Sequence, residues 1–530
     1  MIKNNLITGL LLISLALFNI CFGQTENFEI IEGEEVKKGR KDYIPAIKRG
    51  DNKVFILKSQ LSYFGSGDYT LEVYNEAMNL QSSNEVVLPG RDMSITRLEH
   101  LEGQLYVFVE EFDKNSKTNT IYIGILSEEG TISGELVEIS QFELESRRKV
   151  NDFQTTLSAD STMFLITVTP PELDKEQEVK RQFITIDLDL QEVENFEIEF
   201  DYLEDNFYIS QTHLDVEGNI HMLSYTSIEE SKRGLFFKEV DREAKLLTLY
   251  DGSNNVEEYD FPFQDSEASY ISQIKLKTDK QGNIRCAGFY SDAKGNSTKG
   301  IFSFTIDSKT KEISEISSKP FEESYLNEFL TDRQLKKKKK KEKKKKDNPY
   351  ERLHNFKIRD LVMRDDGGFY LIAEYYLYRV TTTTDANGNT RTTNHYYYND
   401  LMVISVQKDN EIEWNKKVSK YQHTTNDGGY YSGIVFGLNK DNSLNIIFND
   451  NVDNLELVTH DNRTNMRYKH LRTVLVNFDL SGEAKKTLLM NNKKSNAILV
   501  PHLSLTSKEN DIILYSQVKK ATKLINILLN

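Results

Sequence analysis

The sequence predicts an all-β chain folded as a β-propeller of four-stranded blades, and three observations predict it. A turn recurs between two apolar strands at Asn52, Gly103, Ser161, Gly218, Gly282, Gly367, Asn442 and Asn510, with spacings of 51, 58, 57, 64, 85, 75 and 68 residues. Between these turns apolar and polar residues alternate with period two, while helical periodicity is nearly absent. Only eight prolines interrupt the 530 residues. A supersecondary unit repeated this often signals a repeat architecture, and short strands within it point to a propeller. Eight anchors predict eight blades, or seven if the repeat around Ser161 is absorbed differently.

The chain opens with the three parts of a secretory signal. Lys3 gives a positive start, Leu6 to Phe18 is an apolar run of 13 residues, and Cys21-Phe22-Gly23 places small residues at −3 and −1 before Gln24. Thirteen residues are short for a bilayer span. Residues 1–23 are therefore expected to be a signal peptide, and residues 24–530 a single exported propeller domain. Periplasm, outer-membrane surface or extracellular space are the compartments this implies. With the signal removed, Cys286 is the one cysteine left. It lies in the apolar strand Ile284 to Phe289, where a thiol packs as a small hydrophobe. Without a disulfide, the stacked repeats must supply the core.

The formal charge is −15, becoming −16 without Lys3. Lys336 to Lys346 contributes +9, leaving −25 on the rest of the mature chain. A surface this acidic repels phosphate backbones and excludes nucleic acid as the main partner.

The first two strands of a repeat are clearest in two near-copies. Tyr208-Ile-Ser-Gln211 leads through Asp215-Val-Glu-Gly218-Asn219 to Ile220–Tyr225. Tyr270-Ile-Ser-Gln273 leads through Asp279-Lys-Gln-Gly282-Asn283 to the Cys286 strand. Gly and Asn are expected to supply the positive φ angles of these tight hairpins. A third strand follows, as at 183–189, 235–241, 301–307 and 474–479, and an acidic or glycine turn opens the fourth. The last repeat stops at Leu524–Leu529, a third strand with nothing after it, while Phe28–Ile31 is a strand-like segment before the first repeat at Tyr43. Pairing the two would supply the missing strand and close the ring without an exposed edge.

The sixth repeat carries Asp366-Gly367-Gly368-Phe369 through Glu374, then Asn399-Asp400 through Val406, then Asn410-Glu-Ile-Glu-Trp414-Asn-Lys416. Over residues 358–418 this resembles a blade motif of secreted bacterial β-propeller proteins, in which an Asp-Gly-Gly-aromatic hairpin is followed by a strand, a short turn and Ile-x-Trp-x-Lys. Asn410 stands where that motif has glycine. The resemblance implies a propeller and no particular activity.

The two longest spacings contain insertions. Residues 320–349 begin with Phe321, Tyr325, Phe329 and Leu330 near helical spacing, predicting a short amphipathic helix. The lysine run then follows, expected as a solvated helix extension or disordered tail, with docking to anionic lipid as its functional reading. Residues 375–398 form a long hairpin, in which Thr381–Thr384 pairs with Thr390–Thr393 across Asp385-Ala-Asn387-Gly388-Asn389. Asn-Gly predicts a type I′ turn. Asp385, Asn387 and Asn389 mimic the start of a calcium loop, but Thr390 replaces its glycine and no glutamate follows at position twelve.

A polar constellation lies around repeats six and seven. His395, Tyr397, Asn399, Asp400, Gln422, His423, Asn449, Asp450 and Asn454 are the candidate ligand-binding residues, with Asn426, Asp427, Asn451 and Asp453 among them. Such runs form loops, and loops on one rim of a ring converge where a glycan or calcium ion would bind, the ion only at about 10⁻⁴ to 10⁻³ M. No cofactor or other metal is expected. None of the nine histidines shows ligand spacing, and no nucleophile elbow, phosphate loop or Cys-x-x-Cys occurs. The leading function is a non-enzymatic binding or scaffolding module of the cell envelope, a monomer whose partner is an envelope protein or glycan. The alternative is a glycoside hydrolase or lyase with carboxylates at the channel mouth, for which Asp360, Glu374 and Asp427 are the candidates.

Overall fold

The computed structural model describes residues 28–39, 42–60, 68–144, 152–170, 177–204, 206–227, 242–250, 255–261, 270–292, 297–344, 348–455, 462–467, 470–490, 497–506, 511–518 and 520–529. The expected signal peptide, the anchor Asn510, the strand at 235–241 and the last lysines of the basic run lie outside them.

The recurring turn is one local geometry used many times. In Asp279–Asn283 the first amide donates to the fifth carbonyl at 2.9 Å and the fourth amide to the first carbonyl at 3.0 Å. Residue four takes positive φ: +82° at Gly282, +86° at Gly367, +66° at Asn442, and +83° at Gly388. This is a type I turn followed by one left-handed residue, whose twist suits a hairpin. The Asn387-Gly388 turn is therefore not type I′, since Gly388 alone takes the left-handed conformation there. The asparagine after the glycine does not supply φ either. Asn219 and Asn283 instead donate Nδ2 to the aspartate that opens the turn, at 2.7 Å to Asp215 and 3.1 Å to Asp279. Asn410, standing in place of the motif's glycine, has φ +73°. Its Oδ1 also accepts from the hydroxyls of Ser303 at 3.2 Å and Thr305 at 2.9 Å. Asparagine tolerates the left-handed region and adds a bond that glycine lacks.

Among the described residues these hairpins build seven four-stranded antiparallel sheets and one six-stranded sheet, each continuous in sequence apart from the last, and Ser297–Thr298 pairs separately with Leu353–His354. In chain order they span 42–86 (sheet 1), 93–143 (sheet 2), 152–203 (sheet 3), 207–260 (sheet 4), 270–320 (sheet 5), 356–425 (sheet 6) and 435–490 (sheet 7). The repeat around Ser161 thus forms a sheet of its own. Sheet 8 joins Ala521–Leu529 and Asp511–Val518 to Phe28–Glu32, with Phe28 opposite Leu529 and Glu32 opposite Ile525. The N-terminal strand closes the ring.

Alternation on the second strand of each sheet explains how the sheets stack. Val107 and Val109 pack with Phe55 and Leu57 of sheet 1, while Tyr106 and Phe108 pack with Phe164 and Ile166 of sheet 3. The pattern continues through Leu165 with Met222, Leu223 with Cys286, Phe289 with Phe369, Tyr370 with Phe448, and Ile447 with Ile512. It returns to its start where Ile513 and Tyr515 of sheet 8 meet Val54 and Tyr74 of sheet 1. A ring of sheets packed face to face, each hydrogen-bonded within itself, is a β-propeller. Cys286 lies fully buried in one of these interfaces, and burial pushes its thiol up.

The near-copies have a second cause. In both, the first strand carries a β-bulge at Ser, whose hydroxyl donates to a carbonyl of the second strand: Ser210 to Leu223 at 3.1 Å and Ser272 to Phe289 at 3.1 Å. The next residue bridges sheets. Gln211 donates to the Ile274 carbonyl at 3.3 Å and accepts from the Leu276 amide at 3.4 Å. Gln273 likewise donates to Phe356 O and accepts from the Ile358 amide at 3.0 Å.

The 320–349 insertion contains two helices rather than one. α1 (Glu323–Asn327) seats Phe321, Tyr325, Leu326 and Phe329 in the core between sheets 5 and 6. α2 (Asp332–Glu342) starts afresh at Thr331, whose hydroxyl and Gln334 form a reciprocal capping box. Lys338 is buried and pairs with Glu323 at 3.0 Å and Asn327 at 2.9 Å. Lys336–Lys341 thus stand on a capped helix pinned to α1 through Lys338, with Lys336, Lys337, Lys339, Lys340, Lys343 and Lys344 exposed.

Candidate functional site

Sheet 6 consists of β1 (Phe356–Met363), β2 (Phe369–Thr384), β3 (Thr390–Val406) and β4 (Ile412–Thr425). The last three run past the ring as a twisted ribbon. The threonine pairing is as expected, from Thr381 opposite Thr393 to Thr384 opposite Thr390. At its tip both Asp385 oxygens are engaged, accepting from the Asn387 and Asn389 amides at 2.9 Å each and from Asn389 Nδ2 at 3.0 Å. Those bonds hold the Asp385 carboxyl below the usual range. The carboxylate that mimics a calcium loop is spent on the turn.

Period-two alternation gives the ribbon two aromatic faces. On one, Tyr376 and Tyr398 lie 4.9 Å apart and Tyr378 and Tyr396 5.2 Å apart, ring centre to ring centre. Lys357 Nζ sits 4.8 Å over Tyr376, and the Arg359 guanidinium lies 5.5 Å from Tyr376 and 5.6 Å from Tyr398. Burial, then the neighbouring Tyr376, pushes the Tyr398 hydroxyl up to about 12. Tyr378 is 47% exposed. On the other face Tyr397 stacks on His423 at 4.1 Å and 5°, and His395 Nδ1 lies 3.1 Å from His423 Nε2. Burial and then His395 hold His423 below its ordinary value.

At the root of the ribbon the character inverts. Lys420 is fully buried; its ammonium bonds Glu374, Tyr398 O at 3.0 Å and Gln422 Oε1 at 2.9 Å. Arg359 meets the second Glu374 oxygen at 2.8 Å. Gln422 donates to Asn449 O at 2.7 Å, and Asn449 donates to Tyr431 O at 2.9 Å and Leu499 O at 2.7 Å. Asp450 accepts from Asn454 and Lys486 at 2.6 Å each. Asp400 pairs with Arg463 and accepts the Lys420 amide at 3.1 Å. Burial holds the Lys420 ammonium below its ordinary value, with Glu374 opposing.

The candidate residues therefore divide. Asn399, Asp400, Gln422, Asn449, Asp450 and Asn454 are buried and bonded inside the fold, as is Glu374. His395, Tyr397 and His423 lie together on the ribbon. Asp427 accepts from Thr424 at 2.7 Å and the Gly429 amide at 2.9 Å, a turn-forming role. Asp360 is on the innermost strand, accepting the Leu361 amide at 2.8 Å with Lys277 at 3.9 Å. Sequence reasoning missed Lys357, Arg359, Tyr376, Tyr378, Tyr396 and Tyr398. Their signal was the alternation in Tyr375–Tyr378 and His395–Tyr398. Among the described residues, no group of three or more His, Cys, Asp or Glu side chains is arranged to hold a metal ion.

Between the ribbon root and the helical insertion lies a cavity of about 350 Å³, lined by Phe329, Gln334, Tyr350, Phe356, Tyr375, Asn399, Asp400 and Arg463, among others. It places the helix bearing the lysines and the base of the aromatic ribbon on the walls of one hollow.

No protein-family model matches this chain, and no curated protein is similar to it in sequence. Solved structures similar in backbone include the WD40 domain of SCAP from fission yeast, at 10% identity and TM-score 0.39, covering 95% of this chain and 99% of that one. The β-propeller domain of the Trilobed protease from Pyrococcus furiosus matches at 11% identity and TM-score 0.32, covering 72% of this chain and 99% of that one. The periplasmic gluconolactonase PpgL of Pseudomonas aeruginosa matches at 8% identity and TM-score 0.31, covering 75% of this chain and 99% of that one.

Proposed function

We propose that this chain is an exported, non-enzymatic binding module of the cell envelope, an eight-bladed monomer with one blade per sheet, and that its ligand is a glycan held on the ribbon of sheet 6. The observation that carries the reading is the ladder of Tyr376, Tyr378, Tyr396 and Tyr398, flanked by Lys357 and Arg359. Flat aromatic faces take the apolar faces of sugar rings, and the hydroxyls and cations beside them take sugar oxygens. The exposed lysines of α2 favour a glycan bearing carboxylate or phosphate, and give peripheral contact with anionic lipid through the 336–346 run. Against hydrolysis, Glu374 is neutralised by Arg359 and Lys420 instead of facing a second carboxyl across a cleft.

The test is retardation of residues 24–530 in gels carrying acidic or neutral polysaccharides, with the Y378A/Y396A variant alongside. Retardation by an acidic polysaccharide, lost in the variant, is the expected result. Equal migration in all gels, or release of reducing ends from the polysaccharide, overturns it.

A further inference from the structure

We infer that His395 and His423 form a binding site for one transition-metal ion, of the class that prefers imidazole nitrogen: Cu²⁺, Zn²⁺ or Ni²⁺. The inference stands apart from the glycan reading, because it concerns the opposite face of the ribbon.

The two imidazoles come from adjacent antiparallel strands, β3 and β4, with Tyr397 directly opposite His423 and His395 opposite Thr425. Their facing atoms, His395 Nδ1 and His423 Nε2, are 3.1 Å apart. Two nitrogens bound tetrahedrally to one metal at about 2.05 Å are separated by about 3.3 Å. The nitrogen spacing therefore needs to grow by only about 0.2 Å, while the two rings, which now meet head to head with centres 5.3 Å apart, turn within their planes so that both lone pairs converge on the ion. In the metal-free protein one proton lies between the two nitrogens; on chelation His423 carries it on Nδ1 instead, so both imidazoles bind as neutral ligands with no net proton release.

Three further contacts make the pair a built feature rather than a chance meeting of surface side chains. Thr381 Oγ1 lies 2.9 Å from His395 Nε2, so the nitrogen not facing the metal donates its proton to a fixed acceptor. That outer bond is the one that orients a ligating histidine and raises its basicity. The Tyr397 ring lies flat on His423, 4.1 Å away, and holds its plane. The backbone of His423 is clamped on both sides by Asn465, which accepts its amide at 2.9 Å and donates to its carbonyl at 3.1 Å. Both ligands stand on strands, which hold geometry better than loops.

Imidazole pairs favour copper, zinc and nickel over calcium or magnesium, which seek oxygen. Water completes the coordination, leaving positions open to an external ligand.

The experiment is calorimetric titration of the mature chain, residues 24–530, with CuSO₄ and separately with ZnCl₂. The wild type, H395A, H423A and H395A/H423A are compared, and the copper complex is examined by electron paramagnetic resonance. One equivalent per chain is expected, with at least about tenfold weaker binding in each single variant. T381V should weaken binding less, and nitrogen hyperfine structure should count two imidazoles. Y378A/Y396A, on the other face, should bind as the wild type does. Absence of stoichiometric binding, or binding unchanged in H395A/H423A, overturns the inference. So does a copper spectrum with no imidazole nitrogen, a result independent of how well any variant folds.

Discussion

The root and the tip of the sheet 6 ribbon are made by the same three strands, yet they treat polar and aromatic residues in opposite ways. At the root, Glu374, Lys420, Gln422 and Asn449 are fully buried and bonded to one another or to backbone. At the tip, Tyr376, Tyr378, Tyr396 and Tyr398 stack outside the ring, Tyr378 with 47% of its surface exposed. Composition alone suggests the reverse, charges outside and rings inside. The difference is set by neighbours. The root is flanked by sheet 7 and the turn before it, whose backbone carbonyls at Asn449 and Tyr431 take polar partners. The tip extends beyond the root, where its rings are covered by each other, by Lys357 and Arg359, and by the backbone at Gly429.

The largest test of that contrast is to break the root pair. Removing one member of a buried, hydrogen-bonded ion pair leaves an uncompensated charge, at a cost of about 3–5 kcal/mol. Glu374→Gln should lower the free energy of unfolding by that order in urea titrations, and Lys420→Met by less, because Glu374 keeps Arg359. The double replacement Glu374→Leu with Lys420→Met should regain part of it, because the fully buried charges are gone and only the partly exposed Arg359 loses its carboxylate. A single variant as stable as the wild type would mean the pair is not sealed from water.

A half-buried titratable group with cationic neighbours should behave differently. His213, on the innermost strand of sheet 4, is held down to about 4 by burial, then by Lys275, His221 and Lys277. Its neutral form is the one the fold accommodates. Between about 6.5 and 4 the unfolded chain takes up the proton and the native chain does not, so stability falls as pH falls through that window and levels off below it. The full difference is up to about 3 kcal/mol. His213→Gln should flatten the profile of unfolding midpoint between pH 7 and pH 4 relative to wild type. An unchanged profile would show that His213 is solvated.

The ring itself was largely legible, because its signals are backbone requirements. Left-handed residues at Gly218, Gly282, Gly367 and Asn442 can be supplied by few residue types, so they mark the sequence. The borrowed strand at Phe28–Glu32 was visible because a third strand lacked its partner. The site was harder to see. Asn449 or Gln422 looks the same in sequence whether it faces a ligand or a neighbouring sheet 50 residues away, as Asn449 faces Leu499. The turn at Asn387-Gly388 was misjudged because Asp385, two residues earlier, draws the backbone into a longer loop with its carboxylate. The lysine run was expected as a helix extension or a disordered tail, and its separate start as α2 was missed because a run of lysines gives no amphipathic pattern. Its order comes from the Thr331 cap and the Lys338 anchor.

A smaller effect should attend the bridges between sheets. Gln273 satisfies a carbonyl and an amide on the inner strand of sheet 6 at once. Replacing it with leucine strands both groups, and leaving buried partners unsatisfied costs about 1–3 kcal/mol. Gln273→Glu keeps the acceptor for the Ile358 amide and loses the donor, so it should lie between wild type and leucine in thermal unfolding. If leucine proves neutral, water enters the channel wall there and takes over both bonds.

The smallest stability effect, and the most telling for function, belongs to the tip. Tyr378 and Tyr396 touch each other across the ribbon and neither is among the described residues of the buried core, so Y378A/Y396A should change unfolding free energy by about 0.5–1.5 kcal/mol at most, the worth of an aromatic pair. Rings that the fold does not need for its core are explained only by what they meet outside. If the ladder binds sugar, the same variant should weaken polysaccharide retardation by tenfold or more while its melting temperature stays near that of the wild type. A variant that loses several kcal/mol instead would place the tip in the same class as the root. The rings would then be structural, and the contrast between the two ends of the ribbon would disappear.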